Sequence, residues 1–423
     1  MVTAGQNIRL TRVGPGTPAG ELFRRYWQPA VLSEEVPEKD CPPVRVRLLG
    51  EDLLAFRDSD GVVALTDAHC PHRRAPFYFG RNEERGIRCA YHGWKFNRNG
   101  DCVDMPTEPG NDRMKATVKI TAYPTVELGG IVWAYMGPPD KKPPPPDYEW
   151  LRVPREFIHV SKTYEECNYL QALEGGLDTA HSSYAHNNNL GAKAEPRLLD
   201  KSPRLDVNPT DYGYNYVSTR SMGGGDAYIR LYHYVMPFQQ MRGGIHEFSG
   251  ERRKAPALDG HVWAPIDDET TFVYNWHHTY DATTPIDEAH RVKTEVFYGR
   301  GPDDMIPGTF KLKKNKANDY MIDRDLQKTR IFTGIVGINT QDFALQEGMG
   351  PIVDRSKEHL GSTDRAIIAM RSMLLKAIDA VEAGGAPPGV EPSTHNNIRP
   401  YDGFVRAGED WRAKFDPETK AKW

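Results

Sequence analysis

Two short runs pair a thiol with an imidazole. Cys70-Pro71-His72 is followed, sixteen residues on, by Cys89-Ala90-Tyr91-His92. Each reads as a tight loop that offers one thiolate and one imidazole, with Pro71 and Gly93 as turn residues. Two thiolates on one iron and two imidazoles on the other is the ligand set of a Rieske-type [2Fe–2S] centre. Imidazole in place of thiolate lowers the negative charge on such a cluster and raises its potential. A structural zinc site is the competing reading. Its usual spacing is a close Cys pair followed by a His pair, whereas Cys and His alternate here. Cys41, Cys102 and Cys167 bring the cysteines to five in 423 residues, too few for a disulfide framework.

A second group lies further on. His181 and His186 could give two imidazoles of a site in which two His and one carboxylate leave positions open for O₂. Taken by its spacing, such a pair is more often structural. Residues i and i+5 do not share a face of a regular helix. His186 must therefore sit where the helix from Tyr169 to Tyr184 ends or distorts, and Asn187-Asn188-Asn189 suits such an end. Asp178, three residues before His181, can reach the same side. Asn168 is a further polar candidate near this group.

The elements that must hold these residues are read from pattern. Thr17 and Pro18 cap and open a short helix that runs to Trp27 and stops at Pro29. Val44, Val46 and Leu48 then alternate with Arg45 and Arg47. Leu53–Phe56 and Val62–Leu65 flank an Asp60-Gly61 turn, a hairpin signal. Short strands continue to Ile131–Tyr135. Pro143 to Pro146 make a stiff connector. The expected division is therefore 1–150, a β-rich cluster domain with an N-terminal helix, and 151–423, a larger domain. Residues 214–280 alternate in strand fashion. Ser362 or Thr363 caps an amphipathic helix bearing Ile367, Met370, Leu374, Ile378 and Val381, which stops at Gly384-Gly385.

Composition sets the outer limits. Lys and Arg number 54 against 58 Asp and Glu, so no basic excess points to nucleic acid or an anionic membrane. No apolar run reaches the ~18 residues of a spanning helix, and the first residues lack a signal pattern. A cytoplasmic location is expected.

Cys70-Pro71-His72-Arg73 with Cys89-Ala90-Tyr91-His92-Gly93-Trp94 resembles the cluster motif of Rieske non-haem iron oxygenases. Neither loop has the extra cysteine of the respiratory Rieske proteins. Glu174-Gly175, Asp178, His181 and His186 are similar to the iron-binding segment of the same oxygenases, and Asn339 to Glu347 to a later segment. The resemblance implies that Asp342 is the third iron ligand, with Glu347 and Asp354 as weaker substitutes. It also implies that Asp178 hydrogen-bonds His181 and His92 of a neighbouring subunit. Gly14 to Leu22, Phe79 to Glu84 and Met349 to Ser356 resemble the phthalate dioxygenase-like subfamily.

That likeness implies an α+β chain, with a helix-grip domain of antiparallel sheet and helices after the Rieske domain. It implies a [2Fe–2S] cluster, a mononuclear Fe(II), and electrons from NAD(P)H through a separate flavin and iron–sulfur reductase. It implies a homotrimer or stacked trimers, O₂ as co-substrate, and an aromatic carboxylate converted to a cis-dihydrodiol. O-demethylation of methoxylated, lignin-derived acids is the alternative. A non-enzymatic electron carrier is the alternative of another class, although a bare Rieske carrier would end near residue 140. An anionic substrate needs a cation, best an Arg; Arg204 and Arg242 are the candidates. The basic run Lys311 to Lys316 is either a docking face for an acidic reductase or a solvated surface.

Overall fold

Short strands closed by tight turns build the N-terminal part from three small antiparallel sheets. The computed structural model describes residues 2–191, 195–247 and 249–423. Val44–Leu48, Glu51–Arg57, Val63–Asp67 and Ala122–Tyr123 form one sheet in that order. The Asp60-Gly61 turn closes its second hairpin, with Gly61 at φ 91°, where a side chain would be strained. Arg81–Glu83, Gly86–Arg88, Lys95–Asn97 and Cys102–Asp104 form the next. Around them lies a separate core that includes Leu54, Phe56, Phe77, Ile87 and Phe96, and into it Cys70 and Cys89 are sunk.

The start of the chain departs from expectation. Thr17 caps the helix through its side chain and Pro18 opens it, but the helix covers only Pro18–Phe23. Trp27–Leu32 is instead a buried strand at a sheet edge, paired with Ile131–Tyr135. Pro29 is tolerated because an edge strand does not need every N–H, and the register shifts just after it.

The larger part is one antiparallel sheet with helices against it. Its strands are β1 (Ile158–Glu165), β2 (Arg204–Thr210), β3 (Gly213–Gly223), β4 (Asp226–Val235), β5 (Gln239–His246), β6 (Arg252–Pro265), β7 (Thr271–Thr279) and β8 (Tyr401–Val405). They run β1-β7-β6-β5-β4-β3-β2 in space, and β8 pairs with β4. No pattern in the Pro-rich tail announces β8. The helices that matter here are α1 (Tyr169–Leu177), α2 (Glu288–Tyr298), α3 (Ile338–Gly348) and α4 (Arg365–Glu382). The chain is thus α+β, as expected.

α4 buries the predicted stripe of Ile367, Met370, Leu374, Ile378 and Val381. Its cap is not Ser362 or Thr363. Those residues form a 3₁₀ turn, and Asp364 occupies the cap position while its side chain accepts the Gly361 N–H at 2.6 Å. Gly384, at φ 84°, follows the end. The first helices of the chain pack on this larger part: Tyr169 donates its hydroxyl to Leu10 O at 2.7 Å, and both belong to one continuous core.

Candidate metal centres and the cavity between helix and sheet

The two Cys/His loops have the same backbone shape. Cys70 N–H donates to Ala75 O at 2.9 Å, and Arg74 N–H to Cys70 O at 2.8 Å. Cys89 N–H donates to Trp94 O at 2.8 Å, and Gly93 N–H to Cys89 O at 3.0 Å. The fourth residue after each cysteine is left-handed, Arg74 at φ 59° and Gly93 at φ 75°. His72 and His92 meet edge to face with centroids 4.4 Å apart. Trp94 stacks on His72, and its Nε1–H donates to Thr107 Oγ1 at 3.0 Å, so the ring has a fixed wall. Arg88 ties down the second loop through Gly93 O at 2.7 Å and Asp104 at 2.6 Å.

This donor set fits a cluster. Burial pushes the Cys70 thiol up to about 12, with Cys89 adding to the effect. Such a thiol keeps its proton at neutral pH unless a metal displaces it. Among the described residues, the buried Nδ1 of His72 has no hydrogen-bond partner, as suits a nitrogen reserved for a metal.

The second group is assembled by a broken helix. α1 does not continue to Tyr184; it stops at Leu177, and Asp178 is extended at φ −71°, ψ 124°. Asp178 Oδ1 accepts the Ala180 N–H at 2.7 Å and leads the chain into a 3₁₀ turn, His181–Ser183. That break lets residues five apart converge: the Nε2 atoms of His181 and His186 are 3.0 Å apart. Asp342, from α3, brings Oδ1 to 3.6 Å from the first and 3.3 Å from the second.

The far side of each ring is held. Asp178 Oδ2 lies 3.5 Å from His181 Nδ1. Gln341 Oε1 lies 2.9 Å from His186 Nδ1, while its amide donates to Ile335 O at 2.8 Å and Asn188 Oδ1 at 2.6 Å. Gln341 thus holds the His186 proton on Nδ1, Asp178 stands near His181 Nδ1 without a hydrogen bond to it, and the two Nε2 atoms face each other. A shared cation accounts for that approach. Two ~2.1 Å bonds at right angles would put the nitrogens about 3.0 Å apart. Burial resists charge on Asp342, but His186 and then His181 outweigh it and hold the carboxyl below its ordinary range. These residues fit a mononuclear iron. Gln341 escapes a sequence reading, since neighbours on a helix face different ways and nothing marks it beside Asp342.

A cavity of about 290 Å³ opens on this group. α1 and α3 form one side and the sheet the other, with Trp263, Val273 and Phe297 among the apolar walls. A Cβ on Gly176 would overlap the Trp263 indole, so glycine is what lets α1 lie against β6.

The candidate cations divide. Arg242 stands on the wall, ion-paired with Asp259 and 3.1 Å from His261 Nε2. Arg204 does not: it opens the edge strand β2, its side chain is 69% exposed, and it pairs with Asp206 at 3.2 Å. Asn168 is also misplaced by the sequence reading. Its Oδ1 caps α1 by accepting Leu170 N–H, and its amide donates to Thr11 O and Asp268 O. It sits at the other end of a helix about 13 Å long.

Four arginines the sequence did not single out also line the cavity: Arg197 and Arg253 pair with Glu195 and Glu247, while Arg220 and Arg230 are held otherwise. Arg220 donates to Thr179 O at 2.6 Å and Ser183 Oγ at 3.2 Å, bracing the His181 turn. Arg230 donates to Gly243 O at 2.7 Å and lies 5.0 Å from the Tyr232 ring, and among the described residues its buried Nε has no partner. Among the described residues, neither forms an ion pair.

The remaining alternatives fall away. Glu347 is taken by the Glu166 N–H and the Tyr320 hydroxyl, and Asp354 caps Ser356. In the Lys311 to Lys316 run, Lys311 pairs with Glu166 and Lys314 with Asp304, while Lys313 and Lys316 donate to backbone carbonyls. That is a self-bonded wall more than a free basic face.

A cluster cradle in a small β-domain, joined to a His/His/Asp cavity between helix and sheet, is the build of an electron-fed, oxygen-activating iron protein. Residues 26–124 match the family described as Rieske [2Fe-2S] domain, and residues 134–422 match the one described as LigXa C-terminal domain like. The chain is 37% identical to the phthalate 4,5-dioxygenase oxygenase subunit of Pseudomonas putida, over 100% of this chain and 96% of that protein. It is 36% identical to the 3-chlorobenzoate-3,4-dioxygenase oxygenase subunit of Comamonas testosteroni, over 98% of each. It is 33% identical to the 5,5'-dehydrodivanillate O-demethylase oxygenase subunit of a Sphingobium species, over 92% and 84%. Dicamba monooxygenase bound to dicamba has the same fold, with a TM-score of 0.60 at 19% identity over 85% of this chain and 98% of that one.

The chain therefore belongs to the Rieske non-haem iron oxygenases, as the oxygenase component of a multicomponent system. The family joins a Rieske cluster to a mononuclear iron and takes its electrons from a reductase. Among the described residues, no helix is long and apolar enough to cross a membrane.

Proposed function

We propose that this chain dihydroxylates the ring of an aromatic carboxylate. The observation that carries the reading is the cavity: apolar walls, His181, His186 and Asp342 on one side, and Arg230 with no ion-pair partner among the described residues. Among the described residues, Asp402 and Asp259 act on this half-buried guanidinium from a distance without pairing with it, so a ligand carboxylate can still take its free Nε–H. Arg242, already neutralised by Asp259, would orient that carboxylate more than attract it. The relatives named for phthalate and chlorobenzoate point the same way.

In this reading Cys70, Cys89, His72 and His92 hold the cluster, and His181, His186 and Asp342 hold the iron. When bound, the iron and cluster supply O₂ activation and electrons. The chain's own residues position and exclude. Asp178 and Gln341 fix the two imidazoles, Arg230 anchors the carboxylate, and Trp263 and Val273 keep water from the ring.

Cluster and iron would meet between copies in a ring of three. Tyr91 is 57% exposed and Phe79 67% near the cluster loops; Tyr184 is 47% and Phe332 45% exposed near the iron turn. Such patches favour burial against a neighbour. Asp178 would then bridge His181 to His92 of the partner subunit. The division near residue 150 and a cytoplasmic setting, where the buried Cys41, Cys102 and Cys167 outside the cluster stay reduced, belong to the same reading.

A methoxy group held over the iron site would give O-demethylation instead, the activity in the name of the Sphingobium relative. A single turnover of the reduced protein with ¹⁸O₂ separates the two, run across benzoates, phthalates and methoxybenzoates. A diol carrying two labelled oxygens is expected. Formaldehyde with one labelled oxygen would move the assignment to the demethylase, and no product from any acid would sink the aromatic-acid reading.

A further inference from the structure

β1 ends on Glu165, and Glu166 follows in the bend after it. Glu166 lines a second cavity of about 490 Å³, together with Lys311, Lys316 and Glu347. The rim residues Lys311, Lys316 and Ala317 are exposed, so this cavity meets solvent. Glu165 lines the other cavity, the one that holds His181, His186 and Asp342. It is wholly buried.

Nothing yet described uses Glu165. Its Oε1 accepts the Cys167 thiol at 3.4 Å, and among the described residues its buried Oε2 has no partner. No Lys, Arg or His pairs with it among the described residues. Burial, and then the charge of Glu347, push its carboxyl well above the ordinary range against a pull from the Cys167 thiol, and so favour the neutral acid. A buried, unpaired carboxyl costs stability that an apolar side chain would not. What it adds is an acid in the cavity that holds His181, His186 and Asp342.

A way to reload it stands behind the same wall. Glu347 Oε1 accepts the Glu166 N–H at 2.8 Å, and Oε2 accepts the Tyr320 hydroxyl. Glu347 lines the solvent-side cavity, and Phe343, one turn earlier on α3, lines both. The two acids thus line separate cavities that share Phe343 as a wall.

We propose that Glu165 delivers the protons that the oxygen chemistry consumes, and that Glu347 and the second cavity resupply it. The balance is simple. Ring dihydroxylation takes up one O₂, two electrons and two protons: the O–O bond breaks, and two C–O and two O–H bonds form. In O-demethylation one oxygen leaves as water, with the same count. The electrons come from the reductase. Each proton leaves as the Glu165 O–H bond breaks, and the carboxylate takes the next from the Glu347 side. The inference rests on the family's oxygenase chemistry and not on which acid is bound.

Two measurements test it. Infrared spectra of the resting protein need no substrate: the carbonyl band of a neutral carboxylic acid should be present, shift in D₂O, and be missing from Glu165→Gln. Absence of that difference would overturn the proposal. Turnover comes next, with the acid that gives product. Glu165→Gln keeps the shape, and it should keep iron content and the rate of cluster reduction. Product formation should slow by roughly 10²-fold, the solvent deuterium isotope effect should rise, and Glu165→Asp should recover part of the rate. Wild-type turnover with an unchanged isotope effect would refute it. Should Glu165→Gln not fold, Glu347→Gln carries the same test: slower turnover with a larger isotope effect is expected, and wild-type values would refute the relay.

Discussion

Gln341 does its work one residue from the Asp342 carboxylate, and through a different partner. Its carbonyl oxygen fixes the proton of His186 on Nδ1 and so leaves Nε2 free to bind a metal. Partners of this kind are worth about 10–100-fold in metal affinity. Gln341→Leu should therefore lose mononuclear iron at chelator concentrations roughly 10–100-fold lower than the wild type tolerates, while the optical bands of the cluster stay as they are. Equal iron retention would mean that packing alone orients His186. Arg230 makes a prediction about substrate. A hydrogen bond to a charged group is worth about 1.5–3 kcal/mol, so Arg230→Gln should raise KM for the carboxylate roughly 10–150-fold with a smaller change in kcat. The preference for the free acid over its methyl ester should shrink with it. If acid and ester are affected alike, Arg230 is shaping the cavity and not reading the charge.

The element that sets the iron site is α1, and it is held from outside the site. Gln171 clamps it to the end of α3 through Gln346 O and Gly350 O, at 3.1 and 2.9 Å. Glu174 binds Arg355 at 2.9 Å and Arg371 at 2.7 Å, all three buried. Burial resists its charge, but Arg355 and Arg371 outweigh that and hold the carboxyl below its ordinary 4.5. Among the described residues, Glu174→Gln leaves Arg355 with only Asn7 among its side-chain partners, and breaking such a pair costs about 3–5 kcal/mol. The urea midpoint should fall accordingly at pH 7. Because the folded carboxyl titrates below the unfolded one, this contribution is complete above pH 4.5 and lost as pH falls through the depressed value. The gap between variant and wild type should be the same at pH 7 and 6 and close below 4.5; a gap that persists in acid would assign the loss to packing. At this scale the sequence was legible where the signal is local. The Cys/His loops and the stripe of α4 are contiguous patterns, and the spacing of His181 and His186 already required a broken helix. Asp342 lies far along the chain, and only resemblance linked it. Asn168 and Arg204 were misread for physical reasons: an Asn before a helix looks the same whether it caps or coordinates, and an Arg on a strand faces cavity or solvent according to a register that the sequence leaves open.

In the whole molecule the two metal-binding groups belong to different cores. The cradle lies in the small core around Phe77 and Phe96, and the iron turn at the edge of the large one. His92 and Tyr91 sit at the surface, as does part of Asp178. A ring of copies would bring the cradle of one to the iron turn of the next, and this can be tested without knowing the interface. Cys89→Ser should lack the cluster and keep the iron; Asp342→Ala should lack the iron and keep the cluster. Each alone should be inactive. If electrons cross only between neighbours in one rotational direction, a co-expressed one-to-one mixture restores the sites in which an intact iron follows an intact cluster. Random assembly makes that one half times one half, so the mixture should regain about a quarter of wild-type activity per chain. Transfer within a chain gives none, since no chain in the mixture holds both centres. Metal analysis of each variant alone guards the result, because iron loss from Cys89→Ser would also silence the mixture. Activity near a quarter, with both variants correctly loaded, would place the working unit between two chains; its absence would return both steps to one chain and leave Asp178 with the single duty of orienting His181.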